Sequence, residues 1–180
     1  VVTPPSIPNM VGTAFDISGV DEQDLTAAKE MFLDLGAPHA VIGSCEWGEV
    51  IESAGGSVPS VYVNGLKIAD DTEYLYSYNI TKLDANLRKN LNRERNAVGK
   101  TAYSQAVQNI IKRCESEEVW SGFKENMIQE RGDRCAELKW TQIEAETAIR
   151  LSAREDIVIM TTPERESISN DDVEQIRDQG

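Results

Sequence analysis

Asn64-Gly65 is the dipeptide that most constrains how this chain can fold. Both residues tolerate the positive φ that a two-residue type I′ turn demands, and β-type runs flank them, Val58 to Val63 before and Leu66 to Ala69 after. Gly55-Gly56 breaks the chain ahead of the first run. Asp70 and Asp71 turn it after the second, into Tyr74-Leu75-Tyr76-Ser77-Tyr78-Asn79-Ile80. A three-stranded antiparallel meander is the expected result.

Upstream, Phe15 and Ile17 alternate with polar residues as in a short strand. Asp21 stands at a helix N-cap, and Leu25, Ala28, Phe32 and Leu35 share one face of a helix expected to end near Gly36. Ala40 to Ile42 and Trp47 to Ile51 carry short strand signals. From Lys82 the apolar spacing changes from two to about 3.6 residues. Leu83, Leu87 and Leu91 mark one helix, and Ala102, Ala106, Val107, Ile110 and Ile111 a second. Residues 117–129 and 133–154 predict a third and a fourth. Ile157 to Met160 reads as a buried strand, with a last helix capped by Asn170 or Asp171. The fold class expected is α+β: an antiparallel meander packed by helices, then a mainly helical region and one further strand. Its segments are 1–81, 82–154 and 155–180.

The 180 residues include 31 acidic and 18 basic side chains, a formal charge of −13. Dense phosphate would repel such an average surface, so general nucleic-acid binding is not expected. No apolar run approaches the length of a membrane span. Three cysteines without a CxxC pair and a single histidine, His39, argue against a disulfide framework or a structural zinc site. A reducing, cytoplasmic setting is expected. The start, Val1-Val2-Thr3-Pro4-Pro5, suggests an excised or processed piece.

The charge is partitioned. Residues 1–80 hold 2 basic and 12 acidic side chains, and 114–180 hold 8 and 17. Between them, 81–113 hold 8 basic against 2 acidic, a net +6. One reading pairs this connector with its acidic flanks; the other makes it an anion site. The stretch from Leu91 to Tyr103 brings Arg93, Arg95 and Lys100 to a helix N-terminus, so it combines fork-shaped donors, a point charge and free backbone N–H groups. Gly99-Lys100-Thr101 is not a phosphate loop, because Glu94 stands where that motif needs glycine. His39 lacks the neighbours of a nucleophile system. Asp70-Asp71-Glu73 and Glu115-Glu117-Glu118 miss the spacing of a calcium loop and read as a turn and a helix start, so no metal site is expected.

Several segments together, Gly12-Thr13-x-Phe15, Ala27-Ala28-Lys29-x-Met31-Phe32-Leu33, Val61 to Ala69, Tyr76 to Thr81 and Leu91-Asn92-Arg93-Glu94-Arg95, resemble the downstream part of ATP-binding proteins of the gyrase, MutL and histidine-kinase superfamily. The likeness is to their rIIA-like bacterial and phage members and covers residues 12–113. It implies a transducer segment that senses nucleotide phosphate, with Gly12 and Thr13 ending the nucleotide domain and Lys100 presented to the γ-phosphate. The superfamily's Mg-binding Asn helix and glycine-rich lid have no counterpart in this chain. The resemblance therefore implies ATP and Mg only for a full-length protein with an upstream nucleotide-binding domain as partner, and no catalysis by this chain alone. The alternative is a noncatalytic protein-interaction module, phage-encoded or otherwise, whose basic connector docks an acidic protein partner or its own acidic flanks; a homodimer is a further partner expectation, and local nucleic-acid binding by the same stretch is a third option.

Overall fold

The computed structural model describes residues 18–53, 57–93, 99–128, 134–153 and 163. The strand expected at Phe15 to Ile17, that at Ile157 to Met160 and the last helix lie outside the described residues. Five strands form one sheet: β1 (Val41–Cys45), β2 (Gly48–Ile51), β3 (Ser60–Val63), β4 (Leu66–Asp70) and β5 (Ser77–Ile80). Helix α1 (Glu22–Glu30) precedes them, and α2 (Ala85–Arg93), α3 (Lys100–Arg113), α4 (Glu117–Ile128) and α5 (Thr141–Ser152) follow. The fold is α+β, as expected.

The turn between β3 and β4 has φ of 47° at Asn64 and 79° at Gly65, the two positive values its sequence calls for. β4 pairs antiparallel with β3, but β5 does not continue the expected meander. The sheet order is β1-β2-β5-β3-β4, with β5 antiparallel to β2 and parallel to β3. Burial explains the order. All four residues of β5 are buried, so it needs a neighbour on each side, whereas β4 has no buried residue and suits an edge. The chain leaves β4 across the start of β3, where the Asp71 N–H donates to the Pro59 carbonyl, and residues 71–76 carry it to the far side. There the Asn79 amide fixes the strand: its Nδ2 donates to Glu49 on β2 at 2.8 Å and its Oδ1 accepts from the Gly65 N–H at 2.9 Å.

Asp21 caps α1 in a reciprocal box with Asp24. The helix ends at Glu30 rather than near Gly36, and none of its residues is buried. The reason is an edge. The Lys67 N–H donates to the Met31 carbonyl and the Leu33 N–H to the Gly65 carbonyl, so residues 31–33 lie along β4 and meet its need for partners.

The helices after β5 cover one sheet face. Val50, Val61, Tyr78 and Ile80 meet Ala106, Val107, Ile110, Val119, Trp120, Phe123, Leu138 and Ile143 in one core. Leu87 anchors α2, which packs on α3. The helix expected over 133–154 is interrupted: Ala136–Lys139 is a 3-10 turn, and α5 begins after Trp140. Its cause is the Glu137 carboxylate, fully buried and bonded to the Leu75 N–H at 2.9 Å and the Tyr78 hydroxyl at 2.8 Å, while the Ala136 N–H donates to the Glu73 carbonyl. Tyr74, Tyr76 and Tyr78 are all buried and pack in this core. No helix among the described residues is long and apolar enough to cross a membrane.

Candidate functional site

Lys100 opens α3 after Gly99, whose extended backbone starts the helix with no side-chain cap. Its ammonium lies 2.9 Å from Asp71 and 2.6 Å from Glu73, and 5.0 Å from the centre of the Tyr74 ring. Asp71 is 7% exposed and also accepts from the Tyr103 hydroxyl at 3.3 Å and the Glu73 N–H at 3.2 Å. Lys139 approaches the other Glu73 oxygen at 3.7 Å. The hydrogen bond from Lys100 holds the exposed Glu73 carboxyl below the usual carboxylate range. Burial and the Asp71 charge push the Tyr103 hydroxyl up to about 12, so it donates rather than ionises. This cluster ties the α3 N-terminus to the chain crossing between β4 and β5.

Lys100 is thus held by carboxylates of its own chain, the arrangement that the acidic flanks made available. Of the other residues expected at a phosphate site, Arg93 closes α2 but its side chain is not among those described. Arg95, Gly12 and Thr13 lie outside the described residues. Asp71 was legible only as a turn residue, and its role as the buried partner of Lys100 depends on the crossing that brings α3 against it.

The remaining cations of the connector divide into two groups. Lys82 and Arg113 both face Trp47, at 4.5 and 5.0 Å from its ring centre, and share Glu46 at 3.2 and 3.9 Å. Arg88 and Lys89, adjacent on α2, and Lys112 near the end of α3 are exposed and enter no ion pair among the described residues. No group of three or more His, Cys, Asp or Glu side chains among the described residues is placed to hold a metal ion.

Replacing Lys100 with methionine leaves Asp71 buried with two of its three hydrogen-bonding neighbours. Because the ammonium is itself partly exposed, the expected loss is about 1–2 kcal/mol of unfolding free energy, read by urea denaturation. A change within error would mean that water replaces the ammonium at no cost.

Residues 23–117, from α1 to the start of α4, match the family described as the Mycoplasma pneumoniae MPN635 N-terminal domain. Two relatives from Mycoplasma pneumoniae (strain ATCC 29342 / M129 / Subtype 1) both bear the name "Uncharacterized protein". One is 33% identical over 101 residues, covering 56% of this chain and 40% of the relative. The other is 26% identical over 147 residues, covering 82% of this chain and 41% of the relative. The chain therefore spans about two-fifths of the length of the curated relatives it matches. No solved structure matches it. With its sheet, α2 and α3 all inside the matched span, the chain belongs to the family of the Mycoplasma pneumoniae MPN635 N-terminal domain.

Proposed function

We propose that this chain is a noncatalytic protein-interaction module that docks an acidic partner through α2. The observation that carries this reading is the division of the basic connector. Lys82, Lys100 and Arg113 are engaged by Glu46, Asp71 and Glu73, which leaves Arg88, Lys89 and Lys112 exposed without an ion pair among the described residues; of these, Arg88 and Lys89 are adjacent, on α2. Screening over about 8 Å at physiological ionic strength lets a local basic face act despite the overall charge of −13. The rival reading, a transducer that senses ATP with Mg in a longer protein, needs the Lys100 ammonium on a phosphate. That ammonium already has two carboxylate partners.

A fluorescein-labelled oligoglutamate peptide, followed by anisotropy, tests the proposal. Arg88→Glu with Lys89→Glu should weaken binding at least tenfold, and binding should fall with salt. Lys29→Glu, an exposed cation on α1, should leave it within twofold. Equal losses in both variants, or no binding by the wild type, would sink the reading. A thermal shift with ATP and Mg that survives the α2 charge reversal would support the transducer instead.

A further inference from the structure

The sheet face away from α3 and α4 carries a cleft of about 410 Å³. Its walls are the segment after α1, the loop 36–39, the end of β2 and the start of β3. Four polar side chains that line it, Ser60, Lys67, Asp70 and Ser77, are already partnered. The Ser77 hydroxyl accepts from the Ser60 N–H at 2.9 Å, the Ser60 hydroxyl donates to Asp70 at 2.6 Å, and Lys67 pairs with Asp70 at 3.3 Å. Glu30 and Glu52 line the cleft, are exposed, and have no ion pair among the described residues. Beside them Phe32 and Val58 are 45% and 48% exposed, an apolar surface that the fold leaves open to water.

These features select a ligand. With Lys67 neutralised by Asp70, the free charge is negative, which disfavours an anion. A bare inorganic cation would gain nothing from Phe32 and Val58, and a neutral hydrocarbon nothing from the two carboxylates. The group that uses both is an ammonium on an apolar stem.

We propose that this cleft binds a primary alkylammonium group, the chemistry shared by a free aliphatic diamine and a lysine side chain of a peptide. The cleft lies on the sheet face away from α3, on which α2 packs, so this site is separate from the docking face on α2.

His39 is the chain's one histidine and lines the cleft, so its imidazole proton signal is a single, local NMR reporter. Titrations with 1,5-diaminopentane and with an acetylated, amidated lysine peptide, by calorimetry and by that signal, test the proposal. At least one probe should bind and move the His39 signal. Glu30→Gln with Glu52→Gln should weaken that binding at least tenfold. Glu115→Gln with Glu125→Gln, two exposed acids elsewhere, should leave it within twofold. Binding of the diamine would make a free amine the ligand; binding of the peptide alone would make it a protein lysine. Four results would overturn the proposal: no binding of either probe, equal weakening in both double variants, a stationary His39 signal, or ammonium chloride binding as tightly as the diamine.

Discussion

Replacing Glu137 with alanine should lower the unfolding free energy by about 3–5 kcal/mol, a large part of what a domain of this size has to lose. The carboxylate is fully buried, and its Oε1 accepts from both the Leu75 N–H at 2.9 Å and the Tyr78 hydroxyl at 2.8 Å. Alanine strands both donors in the interior at about 1–3 kcal/mol each and leaves the volume of the side chain empty. Relief from burying a carboxyl group offsets part of that cost. Glutamine should lose only about 1 kcal/mol, because its single carbonyl oxygen can stand where Oε1 stands and serve both donors. Urea denaturation of the two variants separates these outcomes. An alanine variant as stable as the glutamine variant would show that the two donors find other acceptors.

The same residue sets a dependence on pH with a definite sign. Burial raises the Glu137 carboxyl above its ordinary value of 4.5, and hydrogen bonds to it offset only part of that rise. Between the unfolded and the folded value the native state binds more protons than the unfolded chain, so the Glu137 contribution falls as pH rises through that window. Glu46, Glu73 and Glu117 act in the opposite sense. Hydrogen bonds from Trp47, Lys100 and Lys124 hold them below the ordinary value, so their contribution is lost as pH falls. Subtracting the profile of Glu137→Gln from that of the wild type removes these common effects. The difference should decline with pH from about 4.5 upward and then level off; a difference that rises would contradict a buried, proton-retaining carboxyl.

Glu137 also marks where the sequence stops being legible. Its position, one glutamate in an apolar-spaced run, predicts a solvent-facing residue in a continuous helix. Its burial depends on Leu75 and Tyr78, about sixty residues away, and only the strand order brings them near. That order was hidden for a related reason. The Asn64-Gly65 turn is a local device and its φ values are dictated locally, but the place of β5 between β2 and β3 reflects burial on both of its edges, which short-range alternation does not report. Helix α3 was readable because Ala102, Ala106, Val107, Ile110 and Ile111 repeat at helical spacing and all are buried. Helix α1 carries a similar pattern, yet Leu25 stays 49% exposed, since the pattern records amphipathicity and not what packs against it. For the site, the charge partition marked the right segment. It could not say which cations would meet Asp71, Glu73 and Glu46 and which would not.

Gly122 in α4 should tolerate alanine only if Tyr76 gives up its hydroxyl. A Cβ at Gly122 would fall on the Tyr76 hydroxyl oxygen, which donates to the Val119 carbonyl at 3.1 Å, and would stand 2.9 Å from the ring carbon that bears it. Gly122→Ala therefore displaces a ring that also packs edge-on against Phe123 at 5.4 Å between centres. Overpacking of about 1–3 kcal/mol and an unpaired buried hydroxyl of similar cost outweigh the roughly 1 kcal/mol by which alanine favours a helix interior. The expected net loss is about 2–3 kcal/mol. Tyr76→Phe alone removes one hydrogen bond, at about 1 kcal/mol. In the double variant the phenylalanine ring needs to shift by only a few tenths of an ångström to admit the methyl group, and the helix gains the alanine. Combined stability should then exceed the sum of the single changes by about 2 kcal/mol in a double-mutant cycle. Additive losses would mean that the clash lies with the ring or with Leu75, whose side chain stands 3.5 Å from the same Cβ position, and not with the hydroxyl.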